Sequence, residues 1–456
     1  MNWTRRDFIR AGGMCAAGLA FNGLCPTLFK NELRAAMPSG DTKLIFIFQR
    51  GGNDAVNTVI PYGDPEYKRA HRPTLFIPRS SAIDLGNDFA GLHPRMAPMM
   101  EIFNHSGLNG MSGTGNLAVI HRVGYAVQFQ SHFNSQQYLE NGLTGDPSFE
   151  EGMIYRLFAN SMDPASNRIG AAALYGSQLV ALKGPVALPT IQNPDNYGFS
   201  GVDVKVRKFV GHMPSTVQGL DGKGLLGAYG GARDYPSKAY RELVYGTGLA
   251  LADSMQIVQA AVDQGPYEPH GEAVYPAGSF GDKLQRAAML LKRTPARVLG
   301  LNIGGWDTHT KQGQIYGKHG DLLAQVAQGF QALYRDLQDQ WDNLLIVTMT
   351  EFGRTSKENG SQGTDHAQAC VMFAAGGRVR GGVYNCDSSS WSAGDLFSSR
   401  DRYILRRSDY RAVFGEIFTR HFGLPDALLD QIIIGYDQAL ADNPQDFSLL
   451  NFVRSA

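Results

Sequence analysis

Five short apolar runs mark the predicted strands of this chain. They are rich in β-branched and aromatic residues, and they cover Lys43–Phe48, Leu117–Val123, Arg297–Ile303, Leu344–Thr348 and Val371–Ala375. Glycine and then polar residues follow most of them. Because the runs hardly alternate with polar positions, they are typical of strands buried on both faces of a sheet, which is then largely parallel and covered by helices.

Amphipathic patterns predict helices between these runs. Gly281–Lys292 has apolar residues at the spacing i, i+3, i+4, i+7 from Leu284 onwards. Asp321–Trp341 repeats the pattern, and Asp409–Phe422 begins at a residue that can cap a helix. Strands alternating with helices predict a layered α/β domain. Residues 145–275 are rich in Gly, Pro and Tyr with weak periodicity, and we interpret them as an insertion or cap.

The N-terminus has the order of a targeting segment. Arg5 and Arg6 are followed by a polar residue, by Phe8 and Ile9, and then by a short run rich in Gly and Ala. The alternative is a buried N-terminal helix, but paired glycines are unfavourable in a helix and the run is short for a membrane span. We therefore predict that residues 1–36 are a twin-arginine signal, and that the chain passes folded through the twin-arginine export machinery.

The charge balance excludes one class of partner. The chain has 42 basic and 42 acidic residues; without the five basic and two acidic residues of the segment 1–36, 37 basic and 40 acidic residues remain. A nucleic-acid-binding protein would need a basic surplus or patch, so no nucleic-acid partner is predicted. No later apolar run has membrane-spanning length. We expect residues 37–456 to form a soluble periplasmic or secreted protein that does not span the membrane.

Two of the four cysteines, Cys370 and Cys386, lie outside the predicted signal. An oxidising compartment would permit them to pair. Burial as two free thiols is the alternative, because the sequence does not give their separation.

Polar residues able to do chemistry follow or precede the predicted strands. In chain order they are Asn53 and Asp54, Ser131 and His132, Asp307 and His309, Glu351 and Arg354, and the group Thr364, Asp365 and His366. Ligand sites of open α/β sheets lie at the carboxyl ends of the strands, where such loops converge. Carboxylates and imidazoles from separate loops are ligands for a divalent cation such as zinc or manganese.

Each of these signals also has a simpler explanation. Asp54 after two glycines can close a turn, and Ser131 can be a helix N-cap. Asp307 and His309 fit a helix cap with a surface histidine. Glu351 can form an ion pair with Arg354, and Asp365 and His366 can be a hydrogen-bonded loop pair. Their shared position at one end of one sheet is what favours a functional site.

Nine motifs in a fixed order closely resemble a bacterial exported family known as domain of unknown function 1501. They are Lys43–Asp54, Asn57–Pro65, Arg72–Leu75, Leu92–Pro94, Ser131–Phe133, Gly304–His309, Thr350–Thr355, Gly363–His366 and Asp409–Val413. The family looks like a branch of the alkaline phosphatase-like, or sulfatase-like, superfamily. This resemblance implies a three-layer α/β fold, with a mostly parallel or mixed sheet between helix layers, and metal-assisted hydrolysis of phosphate or sulfate esters.

The resemblance also implies roles for individual residues. The metal ligands would be Asp54, Asp307, His309, Glu351 and His366. Ser131 would be the hydroxyl nucleophile at a helix N-terminus, Arg354 would clamp the anion, and His132 or His366 would act as acid or base. The substrate would be a small anionic ester or an esterified polysaccharide.

Some motifs depart from the superfamily pattern. The chain has Asp-x-His at Asp307–His309 where a longer spacing is usual, and Glu351–Arg354 contains no histidine. Ala55 and Asn134 also replace residues common in the family. A second hypothesis is therefore a non-catalytic envelope-assembly or glycan-binding protein on the same fold.

Overall fold

The computed structural model of the protein describes residues 41–104, 115–126, 129–161, 169–197 and 253–455. The predicted signal, residues 1–36, lies outside them. The strands are β1 Lys43–Arg50, β2 Val59–Ile60, β3 Ile83–Asp84, β4 Gly91–Leu92, β5 Leu117–Gly124, β6 Ala171–Ala173, β7 Val298–Gly304, β8 Leu344–Met349, β9 Cys370–Ala375, β10 Gly382–Tyr384 and β11 Ser408–Asp409.

Ten α-helices lie within the described ranges. They are α1 Ala55–Thr58, α2 Met100–Phe103, α3 His132–Asn141, α4 Met153–Ser161, α5 253–262, α6 Ser279–Arg293, α7 Lys318–Asp336, α8 Tyr410–Glu416, α9 Leu429–Ile432 and α10 Tyr436–Asp442. The three predicted helices are confirmed as α6, α7 and α8. Asp409 caps α8 by accepting a hydrogen bond from the backbone N–H of Arg411, and a wider π turn, Ile417–His421, continues that helix.

The central sheet has eight strands in the order β10-β5-β9-β8-β1-β7-β6, with β11 also paired to β5. All five predicted strands are confirmed, with β1 at the centre between its parallel neighbours β7 and β8. The sheet is mixed and mostly parallel, because only β9 runs antiparallel to its neighbours β5 and β8. A separate small antiparallel sheet is formed by β2, β4 and β3.

The reversed direction of β9 decides which residues reach the site. The residues before β9 lie at the same edge of the sheet as the residues after β1 and β8. Two backbone bridges tie these loops together: Asn53 pairs with Gly353, and Arg354 pairs with His366. In an all-parallel sheet, the segment before β9 would lie at the opposite edge.

The strands are buried on both faces, as their unbroken apolar sequences predict. One face of β1, with Ile45 and Ile47, belongs to the core that includes Leu284 of α6 and Phe330 of α7. Its other face, with Phe46, belongs to a second core that includes α4 and α8. Each large side chain fully buried in this way stabilises the fold by about 1.5–3 kcal/mol.

The predicted insertion, the two cysteines and the absence of a membrane span can be compared with the described residues. Of the predicted insertion or cap at 145–275, residues 162–168 and 198–252 lie outside the described parts. The described remainder contains α4 and also β6, which pairs with β7 in the main sheet. Cys370 and Cys386 are both buried free thiols. No helix in the described residues is long and apolar enough to cross a membrane.

Candidate functional site

The candidate site forms where the loops after β1, β7 and β8 meet the loop before β9. Gly51, with φ 126°, lies directly against the β7 loop, because a Cβ atom at Gly51 would be 2.3 Å from the backbone nitrogen of Asp307. Any other residue would push the two loops apart, and the positive φ independently favours glycine. The glycine after β1 therefore allows the close approach of Asp307.

Three imidazoles converge on Asp307. His309 Nε2 lies 3.0 Å from His366 Nε2 and 3.1 Å from Asp307 Oδ1. His366 Nε2 is 3.5 Å from the same oxygen, and His132 Nε2 is 3.6 Å from Asp307 Oδ2. We call these four residues the histidine–aspartate cluster. The potential ligand atoms of His132, Asp307 and His366 all lie within 4.8 Å of one another. The distances above give the same result for Asp307, His309 and His366.

Each imidazole is held from behind by an acceptor at Nδ1. The pairs are His132 with Glu351 Oε1 at 2.8 Å, His309 with Asp365 Oδ1 at 3.2 Å, and His366 with the carbonyl of Gln130 at 3.0 Å. Carboxylates and carbonyls only accept, so each Nδ1 carries the hydrogen. A neutral ring in this tautomer presents the lone pair of Nε2 to the cluster, which is the arrangement of a metal-binding histidine.

The donor set fits one divalent cation. The two Nε2 lone pairs of His309 and His366 face each other at 3.0 Å, which is unfavourable unless a positive charge lies near both. His132 Nε2 is buried and has no hydrogen-bond partner among the described residues. Imidazole nitrogens that share a zinc ion through bonds of about 2 Å lie roughly 3 Å apart. Imidazole and carboxylate ligands suit zinc or manganese.

The local electrostatics favour an ionised carboxylate among the imidazoles. Burial opposes the ionisation of Asp307, but the hydrogen bond and charge of Arg354 outweigh it and lower the pKa of Asp307. Burial lowers the pKa of His366. The hydrogen bond to Glu351 raises the pKa of His132 in spite of its partial burial. One anion beside a neutral imidazole is the combination that a cation site requires.

Phe352 fixes the orientation of two of the rings. Its side chain is buried, and its ring centroid lies 4.9 Å from that of His132 and 4.4 Å from that of His366. Packed rings have few alternative rotamers, so the two Nε2 atoms keep their direction.

Glu351 lies behind His132 rather than in the cluster. The sequence predicts Glu351 as a ligand, but its buried Oε1 accepts hydrogen bonds from His132, from the backbone of Gly51 at 2.8 Å and from Gln136 at 3.0 Å. Burial opposes its ionisation, and these donors outweigh burial and lower the pKa of Glu351. The carboxylate therefore orients the imidazole of His132 and raises its pKa.

Arg354 is fully buried beneath the cluster. Its guanidinium donates to the carbonyls of Gly51 at 2.6 Å, Gly52 at 2.8 Å and Thr364 at 2.6 Å, and to the carboxylate of Asp307. The expected clamp on a substrate anion does not fit this geometry, because these protein acceptors already engage the guanidinium. Arg354 instead joins three loops and positions Asp307.

Asp54 is not brought to the histidine–aspartate cluster either. It is the N-cap of α1, so its carboxylate turns toward the backbone N–H of Val56 at 3.2 Å. The same carboxylate accepts two hydrogen bonds from Arg72, at 2.7 and 3.0 Å, and one from Gln312 at 2.6 Å. Burial opposes its ionisation, but Arg72 and the other donors lower its pKa to about 2. Both oxygens of the predicted ligand are thus engaged by protein donors.

Ser131 lies at the N-cap of α3, between Gln130, which holds His366, and His132. Its side chain makes no capping hydrogen bond. The position agrees with the simpler N-cap interpretation, but the hydroxyl is not used for capping. The chain therefore places a half-buried hydroxyl next to two of the residues that organise the cluster.

Sequence reasoning missed Gln136 as a supporting residue and did not find the partner of Asp365. Gln136 donates to Glu351 and accepts from Arg50 at 2.9 Å, and its spacing of four positions from His132 on α3 is a signal that could have identified it. The simpler alternative paired Asp365 with His366, whereas Asp365 accepts from His309 and from Asn359 at 2.9 Å. That exchange of partners depends on the loop path and has no local sequence signal.

Part of the chain matches a known protein family. No curated protein matches this sequence. The matched segment contains three of the cluster residues, Asp307, His309 and His366, together with Glu351 and Arg354. Residues 241–433 match the model of the family described as "Protein of unknown function (DUF1501)", which supports the family resemblance for this part of the chain.

Proposed function

We propose that the protein is an exported, metal-dependent hydrolase of phosphate or sulfate esters, on a fold related to the alkaline phosphatase-like superfamily. The observation that carries the proposal is the histidine–aspartate cluster, in which three anchored imidazoles direct Nε2 toward one carboxylate. The cation, zinc or manganese, would be held by His132, Asp307, His309 and His366. When bound, it would supply positive charge to an anionic ester and to a developing alkoxide.

The position of the cluster supports this function. It lies at the carboxyl edge of a mostly parallel sheet, where α/β proteins bind their ligands. Asp307 is the only carboxylate within it, because Asp54 and Glu351 are engaged elsewhere. The described residues therefore favour one cation rather than the two that a larger carboxylate set would hold.

Ser131 is the proposed nucleophile. Its oxygen forms a bond to phosphorus or sulfur while the bond from that atom to the ester oxygen breaks, and the hydroxyl proton ends on the leaving alcohol. Water then cleaves the new serine ester and restores the hydroxyl, so the net reaction is hydrolysis. The N-terminus of α3 favours an anion beside Ser131.

The test is the turnover of 4-nitrophenyl phosphate and 4-nitrophenyl sulfate by the purified, metal-loaded protein. Ser131→Ala should abolish turnover and keep the bound metal, whereas Ser388→Ala, at an exposed serine, should change neither. Turnover that survives in Ser131→Ala would contradict the assigned nucleophile. A protein without stoichiometric metal would contradict the metal centre.

A second candidate is a non-catalytic exported protein that acts in envelope assembly or binds a glycan. It is favoured by the same single-carboxylate cluster, because a site with one cation can be structural. Stoichiometric metal without turnover of either ester would support this candidate over the hydrolase.

A further inference from the structure

A polar cavity of about 420 Å³ opens beside the histidine–aspartate cluster. We call it the α3 groove. It is lined mainly by Arg50, Phe133, Asn134, Gln137, Tyr175 and Asn302. Phe133 and Asn134 directly follow His132 on α3, and Gln136 both lines the groove and bonds Glu351 behind His132. The first turn of α3 therefore contributes His132 to the cluster and Phe133 and Asn134 to the groove.

The charges of the groove are internally balanced. Arg50 donates to Glu140 at 2.7 Å, and Glu140 is buried. The guanidinium also lies 4.2 Å over the ring of Phe48. A paired cation gives little net attraction to an anion, so the groove suits an uncharged, hydrogen-bonding ligand.

Five carboxamide side chains line the groove: Asn134, Gln136, Gln137, Gln178 and Asn302. Asn302 is only 7% exposed, and its side-chain amide makes no hydrogen bond to any described residue. Gln178 also lines the groove; its Nε2 donates to the carbonyls of Leu182 and Leu188, at 3.4 and 3.1 Å, and its Oε1 has no partner in the described ranges. The side-chain amide of Asn302 lines the groove without a hydrogen-bond partner in the described ranges, so it is available to hydrogen-bond a ligand.

Two aromatic side chains border the same cavity. Phe133 is 85% exposed, and Tyr175 is 38% exposed with the ammonium group of Lys283 lying 5.1 Å over its ring. A carboxamide offers a donor and an acceptor side by side, which matches two adjacent hydroxyl groups. An open aromatic face can cover the C–H face of a sugar ring, which has apolar surface to bury. Both features fit a carbohydrate.

We infer that the α3 groove binds an oligosaccharide, placing one sugar between Phe133 and the carboxamides next to the cluster. The assignment of this saccharide as the alcohol part of an ester substrate rests on the proposed function. Binding itself does not, because no residue that lines the groove is a member of the histidine–aspartate cluster. A peptide is the other class of ligand that amides could bind, but the ion pair of Arg50 with Glu140 and the open aromatic face of Phe133 favour the saccharide.

The experiment uses the full chain on an array of neutral, phosphorylated and sulfated hexasaccharides with hexapeptides beside them, followed by calorimetry on the best probe. We expect at least one hexasaccharide to bind, and both Phe133→Ala and Asn302→Ala to raise its Kd at least tenfold. Tyr316→Ala removes an aromatic side chain that is 75% exposed outside the groove, and it should leave the Kd unchanged. Because Phe133 is exposed, its truncation does not threaten the fold.

The inference is overturned if no hexasaccharide binds, if only peptides bind, or if Phe133→Ala leaves the Kd unchanged. The measurement is repeated on protein stripped of metal by a chelator. Saccharide binding without metal content or ester turnover would contradict the proposed hydrolase and keep the groove. Turnover of nitrophenyl esters without saccharide binding would support the proposed hydrolase and contradict the saccharide groove.

Discussion

His309 and His366 face each other through their Nε2 atoms at 3.0 Å, while Asp365 and the carbonyl of Gln130 hold the opposite ring nitrogens. The two anchors fix the hydrogens on Nδ1. The remaining lone pairs repel unless a cation or a shared proton lies between them. This relationship makes the histidine pair the part of the cluster where loss of one ring has the clearest consequence.

Replacing either ring should remove the metal. His366→Ala and His309→Ala are expected to lower metal content, measured by elemental analysis of the purified protein, from about one ion per chain to less than about a tenth. Added zinc at 100 times its Kd should stabilise the wild type by about 2.7 kcal/mol and the variants much less. His270→Ala, at an exposed histidine, is the control. Full metal content in both cluster variants would contradict the site.

Glu351→Gln tests the carboxylate behind His132. The amide keeps the shape but loses the negative charge that supports the imidazole, and its NH2 group faces donors. We expect the affinity for zinc, measured by competition with a chromogenic chelator, to fall about 10–100-fold. Glu150→Gln, on the surface, should leave the affinity unchanged. Complete loss of metal would instead support Glu351 as a direct ligand.

Asp54→Asn tests whether Asp54 stabilises the fold or binds the metal. The substitution leaves the buried guanidinium of Arg72 without its counterion, so we expect the free energy of unfolding to fall by about 3–5 kcal/mol. Metal content per folded molecule should not change. Asp88→Asn breaks an exposed ion pair with Arg79 and should cost less than about 1 kcal/mol. Loss of metal at unchanged stability would restore Asp54 to the ligand set.

The same carboxylate predicts a pH dependence of stability. The pKa of Asp54 is lowered from 3.8 to about 2 in the folded chain, so its contribution is present above pH 4 and is lost as the pH falls toward 2. The contribution is about 2 kcal/mol. Urea unfolding between pH 2 and pH 5 should therefore show a steeper acid loss for the wild type than for Asp54→Asn. Equal slopes would contradict the lowered pKa.

Much of the fold could be predicted from local sequence. The five apolar runs became β1, β5, β7, β8 and β9, because a run without polar alternation can be stable only where both faces are covered. The short strands were not predicted. β2, β3 and β11 have two residues each, too few to show a period.

The sequence predicted which loops form the site. The structure shows which of their residues meet in the cluster and which do not. Asp307, His309, His366 and His132 meet, while Asp54, Glu351 and Arg354 support them from behind or lie elsewhere. A carboxylate near a predicted strand end looks the same in either role. What distinguishes the roles is the set of hydrogen-bond donors around each oxygen, and for Asp54 these include Gln312, 258 positions away.

The sequence by itself determined the strands, the main helices and the chemistry available at the strand ends, because these depend on apolar periodicity and residue type. Only the tertiary structure decided that β9 runs antiparallel, which brings Asp365 and His366 to the same edge as Asp307. It also decided that Asp307 can bind a cation, whereas Asp54 accepts hydrogen bonds from Arg72 and Glu351 accepts one from His132. Those outcomes depend on side-chain contacts between separate segments, from 18 positions apart for Asp54 and Arg72 to 219 for His132 and Glu351, and such contacts leave no periodic pattern in the sequence.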